Sequence, residues 1–296
     1  MLSRRQLMVT STASMSALAV AATANSAEES TSVTGHVVHK RIKQSVMGWC
    51  FKPMPVPELA EHCREIGLVA MEGVSAEHYP LIRKLGLKIS LVGSHGFTDG
   101  PLDPANHAGC LEKLRKGIDR AVEFGSPNVI TFTGMRKQGI SDEQAAANCV
   151  ECWKQVMPYA EEKGINICLE HLNSRDDTHP MKGHPGYFGD DVDFCVDLIK
   201  RVDSPRMKLL FDIYHVQIMN GDVIRRIRQY HEYIGHYHTA GNPGRGELDA
   251  TQEINYPPIM KAILETGYDG YVAQEFIPTW SDKVKALRHA ALLCDV

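Results

Sequence analysis

Short apolar runs alternate with amphipathic stretches from Gln44 to the end of the chain. Each run has the length of a strand, as in LKISLVG and NVITFTG, and the stretch after it repeats apolar residues at helical spacing. Several of these stretches, such as VPELAEHCREIG, end in glycine, which is typical of a helix C-terminus. The pattern therefore predicts eight strand and helix pairs. The predicted strands are 45–51, 68–74, 87–93, 128–134, 165–172, 207–215, 234–240 and 268–276.

This strict alternation predicts an α/β fold with parallel strands, because a parallel connection needs a crossover helix. Eight pairs are also the number that closes a (β/α)8 TIM barrel. The competing architecture, an open doubly wound sheet, usually carries a glycine-rich phosphate loop after its first strand, and GWCFKPMP does not read as one. We therefore expect a single (β/α)8 barrel domain over residues 41–296.

The first 30 residues follow a different pattern. Arg4 and Arg5 precede a weakly apolar stretch rich in Ala, Ser and Thr, and the small residues Ala22-Thr23-Ala24 suit a signal peptidase. Residues 1–30 therefore resemble a twin-arginine export signal with a short linker, which predicts a periplasmic protein, or a cytoplasmic one if the signal does not function. The segment is too short and too polar to predict a stable membrane anchor.

Composition narrows the class of partner. The 296 residues are 43% hydrophobic and 23% charged, as in a globular protein with a large core. The formal charge is −4, and removal of residues 1–24 takes away two positive charges, so that −4 becomes −6. We therefore expect a small-molecule partner and no nucleic acid, while the oligomeric state stays open to a homo-oligomer. The eight cysteines, including Cys149 and Cys152 on one predicted helix, are expected to pack in the core.

Ionisable residues stand at the carboxyl ends of four consecutive predicted strands, which is where a barrel places its functional groups. Residues two apart on a strand face the same side, so these four are expected to converge inside the barrel. Three carboxylates cannot all stay ionised in a closed space without a cation. Three oxygen ligands and one imidazole therefore predict a divalent metal ion, Mn²⁺ or Mg²⁺ first, with Zn²⁺ or Co²⁺ open. The four residues are Glu170, Asp212, His238 and Glu275.

Other polar residues near strand ends are less decisive. Glu72, His95 and His171 fit a functional site and a core position about equally well. His236 is expected to be a barrel-interior histidine whose hydrogen bonds are made within the protein. Trp49 and Phe51 lie at the end of the first predicted strand and fit either a pocket wall or core packing.

The segment from Glu170 to Pro278 resembles the hydroxypyruvate isomerase family of xylose-isomerase-like TIM barrels. The resemblance rests on LEHLN, HPGYF, FDIYHVQIMNGD, IGHYHTAGNPGR, EINYPPIM and GYDGYVAQEFIP. It implies that Glu170 and Glu275 are metal ligands that also act as acid and base. It further implies that Asp212 and His238 complete the ligand set.

The same resemblance implies that His215 and Arg245 bind substrate. One residue departs from the pattern, because hydroxypyruvate isomerases tend to carry glutamine where this chain has His238, whereas the related sugar epimerases carry histidine. The insertion SRDDTHPMKGHPGYFGD, residues 174–190, also follows the fifth predicted strand and is expected to affect the shape of the pocket. The metal site is compatible with both features, but the substrate is left open.

The expected activity is metal-dependent isomerisation of an aldose or ketose through an enediolate, with hydroxypyruvate converted to 2-hydroxy-3-oxopropanoate (tartronate semialdehyde). A ketose 3-epimerase and a lyase or dehydratase acting on a sugar derivative remain alternatives, since they begin with the same proton abstraction. A phosphodiesterase acting on abasic nucleic acid is disfavoured by the negative charge. A non-catalytic sugar-binding protein is the weakest alternative.

Overall fold

Eight short parallel strands form the centre of the protein, seen in a computed structural model that describes residues 33–296. Seven of the strands lie inside their apolar runs and are shorter than those runs, because only part of each run forms ladder hydrogen bonds. The first strand was predicted over 45–51, but it covers Lys43–Val46, and Gly48–Phe51 form a 3₁₀ helix instead. The strands are β1 (Lys43–Val46), β2 (Ala70–Met71), β3 (Lys88–Ile89), β4 (Asn128–Thr131), β5 (Asn166–Glu170), β6 (Met207–Asp212), β7 (Ile234–Thr239) and β8 (Tyr271–Gln274).

The strands close into a barrel. Six of them are hydrogen-bonded in the order β1-β8-β7-β6-β5-β4, and β2 pairs with β3. The amide of Glu72 donates to the carbonyl of Val46 (2.9 Å), which joins β2 to β1. The amide of Val92 donates to the carbonyl of Asn128 (2.9 Å), which joins the end of β3 to β4. All pairings between named strands are parallel, so the expected (β/α)8 barrel is confirmed.

Helices follow the strands and cover the outside of the barrel. Helix α4 shows why its sequence starts and stops where it does: the Ser141 hydroxyl accepts the Gln144 amide at 3.2 Å, and Gly164 ends the helix with φ +70°. In the described part of the chain the helices are α1 (Val56–Ile66), α2 (Tyr79–Lys84), α3 (His107–Phe124), α4 (Asp142–Lys163), α5 (Val192–Val202), α6 (Ile213–Met219), α7 (Val223–Tyr230), α8 (Tyr256–Glu265) and α9 (Lys283–Leu293).

Helix α6 was not expected. The sixth strand was predicted to run over 207–215, but it ends at Asp212. The Asp212 side chain accepts the amide of Tyr214 (2.9 Å) and caps a helix that contains His215. A short polar residue directly before an apolar stretch of helical spacing is a helix-start signal, and this signal was overlooked in the sequence.

Two groups of apolar residues hold the barrel together. The larger group fills the space between the strands and the helices. The smaller one lies inside the barrel and consists of Leu91, Ile130, Cys168 and Leu210. Because side chains two apart share a face, Cys168 and Leu210 lie on the same side of their strands as Glu170 and Asp212. The interior layer therefore supports the ionisable residues at the strand ends.

The structure does not describe residues 1–32, so the export signal predicted for residues 1–30 and the predicted lack of a stable membrane anchor stay predictions. Residue Val37 is buried, and the Asp295 carboxylate accepts the amides of Val38 and His39 at 2.6 and 2.8 Å, so the described chain starts against the C-terminus. Among residues 33–296 no helix has the length and apolarity required to span a bilayer. All eight cysteines lie in this range as buried free thiols.

Candidate active site

Four ionisable residues meet at the carboxyl ends of β5 to β8. Glu170 ends β5, Asp212 ends β6, His238 lies near the end of β7, and Glu275 directly follows β8. One ligand atom from each lies within 4.8 Å of the others, and all four side chains are buried. The Nδ1 atom of His238 lies 2.6 Å from Glu275 Oε2 and 3.3 Å from Glu170 Oε1. The structure therefore brings together the four residues that the sequence singled out.

Arg245 lies in the same cluster. Its Nη2 atom is 2.8 Å from Glu275 Oε2 and 3.5 Å from Asp212 Oδ2, and its Nη1 donates to the Met181 carbonyl at 2.6 Å. The guanidinium lies 5.6 Å from the ring centroids of both Trp49 and Tyr214, and the side chain is buried. Arg245 therefore supplies a fixed positive charge beside two of the four residues.

Burial and neighbouring charges shift the pKa of each group. Burial raises the pKa of Glu170 and of Asp212. Burial also acts to raise the pKa of Glu275, but Arg245 and His238 outweigh it and lower that pKa to about 2. Burial acts to lower the pKa of His238, but the surrounding carboxylates raise it well above its ordinary value. Without a metal ion, therefore, a protonated His238 partly balances the negative charge.

Unpaired atoms test whether the site suits a metal ion. Within residues 33–296, Glu170 Oε1, His238 Nδ1 and Glu275 Oε2 are buried and lie at ion-pair distance from one another or from Arg245, but none of them makes a hydrogen bond of good geometry. The two carboxylate oxygens both face His238 Nδ1, at 3.3 and 2.6 Å. Buried polar atoms are normally paired, so their convergence indicates a missing common partner. Carboxylate oxygens and an imidazole nitrogen are a donor set for a divalent cation, and the residues fit one.

His215 lies next to this set with a defined tautomer. Its Nδ1 accepts the backbone amide of Asn173 at 3.0 Å, so the neutral ring carries its proton on Nε2. Burial and the nearby Arg245 lower its pKa well below the ordinary value, which keeps the ring neutral. The Nε2 atom lies 3.6 Å from Asp212 Oδ2 and has no hydrogen-bond partner within the described range. His215 therefore presents a free N–H donor at the four-residue cluster.

A cavity of about 180 Å³ adjoins the cluster. Glu170, Glu275 and Arg245 are its charged lining. This volume suits a molecule of a few carbon atoms better than a large ligand. A larger hollow of about 400 Å³ lies at the opposite, amino-terminal end of the strands, beside Met207, where barrels do not place catalysis. The remaining lining residues of the small cavity are Met47, Trp49, Phe97, Ile130, Phe132, Leu172, Met181 and His184.

The insertion after β5 forms part of the cavity wall. Met181 and His184 come from it, and the Tyr214 hydroxyl donates to the Lys182 carbonyl at 2.9 Å. Together with the bond from Arg245 to Met181, this contact ties the insertion to the carboxyl end of the barrel. The expected effect of the insertion on the pocket is therefore seen in the structure.

The residues left undecided by the sequence separate clearly. Glu72 joins the site, because its carboxylate lies 2.8 Å from His238 Nε2 and 2.9 Å from His236 Nε2. His95 is a core residue, since its ring atoms lie 3.0 Å from the Gly96 carbonyl and 2.8 Å from the Thr131 hydroxyl. Trp49 lines the cavity. The sequence signal for Glu72 was its position just after β2, at the carboxyl end of a strand. This position alone does not distinguish a site residue from a core residue.

His171 lies outside the cluster. Because it follows Glu170 directly, its side chain points to the opposite face, on the helix side of the strands, where its ring centroid lies 6.2 Å from that of Phe211.

The fold and the site define the protein first as a (β/α)8 barrel with a buried cluster of acidic residues and histidines at the active end. A family model described as a xylose isomerase-like TIM barrel matches residues 61–292. Because this match covers most of the chain, the protein belongs to the xylose isomerase-like TIM barrel family.

Relatives within this family include hydroxypyruvate isomerases, as the sequence resemblance implied. The chain is 28% identical over 188 residues to a putative hydroxypyruvate isomerase of Homo sapiens, covering 62% of this chain and 65% of that protein. It is 30% identical over 171 residues to the hydroxypyruvate isomerase of Escherichia coli, covering 56% of this chain and 63% of that enzyme. The matched region thus spans slightly less than two thirds of these two relatives.

Solved structures show the same fold. A 3-keto-D-glucoside 4-epimerase from E. coli has a TM-score of 0.71 at 16% identity, over 86% of this chain and 98% of that one. An AP endonuclease of family 2 from Brucella melitensis has a TM-score of 0.67 at 24% identity, over 83% and 96% of the two chains. At these identities the similarity concerns the barrel and not the chemistry.

Proposed function

We propose that the protein is a divalent-metal-dependent isomerase that moves a proton between neighbouring carbons of a small hydroxy-carbonyl compound. The observation that carries this proposal is the convergence of Glu170, Asp212, His238 and Glu275 beside a small cavity. Relatives named hydroxypyruvate isomerase and 2-oxo-tetronate isomerase support the reaction class. Hydroxypyruvate, converted to 2-hydroxy-3-oxopropanoate, is the substrate we propose first.

The residues have separate tasks in this proposal. Glu170 and Glu275 both line the cavity, and one takes a proton from the carbon next to the carbonyl while the other returns a proton to the neighbouring carbon. For hydroxypyruvate, the proton leaves C3, an enediolate forms, and a proton adds at C2, so the mass is unchanged. His215 donates its Nε2–H to a substrate oxygen, and Arg245 balances negative charge as it develops.

The metal ion is held by Glu170, Asp212, His238 and Glu275, with Mn²⁺ or Mg²⁺ proposed first and Zn²⁺ or Co²⁺ next. When bound, a divalent ion supplies Lewis-acid stabilisation of negative charge on the substrate oxygens. The apolar lining, including Phe97 and Phe132, keeps water away from the reacting carbons.

Proton exchange in D₂O tests the proposed function. We expect the metal-loaded protein to place deuterium at C3 of recovered hydroxypyruvate or at C2 of the product, as seen by NMR. Chelator-treated protein should show no exchange, and added Mn²⁺ should restore it. If the loaded protein binds metal but exchanges no proton in hydroxypyruvate or in a panel of ketoses, the proposed function is wrong.

A second candidate, 3-epimerisation of a ketose, is favoured by His238, which the sugar-epimerase branch carries at this position. The same experiment separates the two, because epimerisation places deuterium at C3 of a ketose and inverts that centre. Loss of water or of a glycosyl group would indicate a lyase or dehydratase instead. Sugar binding of equal strength with and without metal, and no exchange, would indicate a non-catalytic binding protein.

Metal binding should release protons. In the metal-free protein the pKa of His238 is raised, so at neutral pH its Nδ1 carries a proton that a metal ion must replace. We expect about one proton or more to leave for each ion bound, and the apparent affinity to weaken as the pH falls. Calorimetric titration with Mn²⁺ in two buffers of different ionisation enthalpy measures this number.

The control for that titration is His184→Gln, since His184 lines the cavity but lies outside the ligand set. It should release the same number of protons as the unmodified protein. Proton release of zero between pH 6 and pH 8, in both proteins, would contradict a protonated His238.

A further inference from the structure

Glu72 is an ionisable residue at the barrel centre for which the proposed reaction has no role. It follows β2 directly and is fully buried. Its backbone is held on both sides by β1, since its amide donates to the Val46 carbonyl (2.9 Å) and its carbonyl accepts the Gly48 amide (2.8 Å). A carboxylate in such a place requires donors from the protein.

Those donors come from β7 and from Ser90, which directly follows β3. The Nε2 of His238 donates to Glu72 Oε1 at 2.8 Å, and the Ser90 hydroxyl donates to Oε2 at 2.5 Å. The Ser45 hydroxyl lies 2.6 Å from that of Ser90, whose proton is already used, so Ser45 donates to Ser90. His236 Nε2 lies 2.9 Å from Oε2. Glu72 is therefore held firmly from several directions.

This arrangement determines which nitrogen of His238 faces the metal cluster. Because Nε2–H points to Glu72, the lone pair of a neutral ring is on Nδ1, the atom that lies 2.6 Å from Glu275 Oε2. We propose that Glu72 is a positioning residue that holds the ring and tautomer of His238 for metal binding through Nδ1. A carboxylate behind a ligating histidine also increases the electron density on the ligand nitrogen.

Glu72, His236 and His238 also lie close enough to one another to suggest a second cation site. The donors argue against it, because each carboxylate oxygen of Glu72 already receives an N–H or O–H proton. A cation there would have to displace those protons and would remove the bond that orients His238. The positioning role therefore predicts one metal ion per chain.

Metal affinity, measured with Co²⁺ and with Mn²⁺ by calorimetry, tests the inference. We expect Glu72→Gln, which keeps an acceptor oxygen but loses the charge, to weaken binding by about 10-fold, and Glu72→Ala by about 100-fold. The visible absorption spectrum of bound Co²⁺ should change in both, because the histidine ligand is reoriented. Glu112→Gln is the matched control: it makes the same change at an exposed carboxylate of α3 that pairs with Lys116, and its affinity should change by less than about 3-fold.

A purely structural role for Glu72 would lower the melting temperature of the metal-free protein and leave affinity and spectrum unchanged. That outcome in Glu72→Gln, the isosteric variant that should fold most readily, would overturn the inference. Two bound ions per unmodified chain would also overturn it. The inference rests on the proposed metal site but not on the substrate. Absence of proton exchange, with weaker metal binding in the Glu72 variants, would contradict the proposed reaction and support the role of Glu72. Proton exchange in the unmodified protein, with unchanged metal binding in the Glu72 variants, would support the reaction and contradict the role of Glu72.

Discussion

Glu275→Gln should reduce proton exchange by about 10³-fold or more, since removing a positioned acid or base commonly costs 10²–10⁴-fold and Glu275 is also a proposed metal ligand. The substitution keeps the shape of the side chain, and the Glu275 amide still donates to the Thr239 carbonyl at 2.9 Å. Arg245 retains Asp212 and the Met181 carbonyl as partners. We therefore expect the variant to fold, with exchange in D₂O measured by NMR and folding by circular dichroism.

The metal must be kept bound during this measurement, because Glu275 is also a proposed ligand. Exchange is therefore compared at a Mn²⁺ concentration well above the dissociation constant of each variant, with the bound metal determined separately. Glu170→Gln should lose exchange to a similar degree, because Glu170 is the proposed partner in proton transfer. Glu265→Gln is the matched control, since Glu265 is exposed on α8 and pairs with Arg228 at 2.8 Å. Exchange that persists in metal-loaded Glu275→Gln would remove Glu275 from the acid and base role.

Arg245→Met should destabilise the metal-free protein by about 3–5 kcal/mol, the usual result when one partner of a buried ion pair is removed. Arg245 is 2% exposed and its Nη2 atom lies 2.8 Å from Glu275 Oε2, so its loss leaves buried carboxylate charge without this cation. Methionine keeps an unbranched chain between Trp49 and Tyr214, which limits the packing change. Denaturant unfolding of the metal-free protein measures the loss.

The same variant should be much less destabilised when metal is bound, because a divalent ion neutralises the same carboxylates. The matched control is Arg175→Met, since Arg175 is exposed and, within residues 33–296, bonds only to the Ile218 carbonyl. It should change the free energy of unfolding by less than about 0.5 kcal/mol. An equal loss with and without metal in Arg245→Met would show that Arg245 acts through packing and not through charge.

Much of the fold was predictable because it depends on local patterns. Apolar runs and helical spacing marked the strands and most helices, and glycines such as Gly164 marked helix ends. The exception was α6, where Asp212 had been assigned only to the metal site and not also to a helix cap. The Asp212 side chain belongs to the candidate metal site and also caps α6, and only the first of these was recognised from the sequence.

The grouping of the four ionisable residues was also predictable. A closed parallel barrel sets all eight carboxyl ends at one face, so ionisable residues at consecutive strand ends must approach one another. Glu170, Asp212, His238 and Glu275 are separated widely along the chain, yet this rule was sufficient to group them. Their roles in binding and proton transfer remain predictions.

The sequence by itself therefore determined the barrel, its family resemblance and the four residues at its active end. These features follow from the order of strands and helices along the chain, and no distance between atoms is needed to recognise them. Only the tertiary structure decided the surroundings of those residues. Glu72 and His238 are 166 positions apart, and nothing local shows that one orients the other. Likewise, only the fold shows that Arg245 is buried between Trp49 and Tyr214 beside two carboxylates. Hydrogen bonds and charge pairs act over a few ångströms, and those separations exist only after the strands have closed.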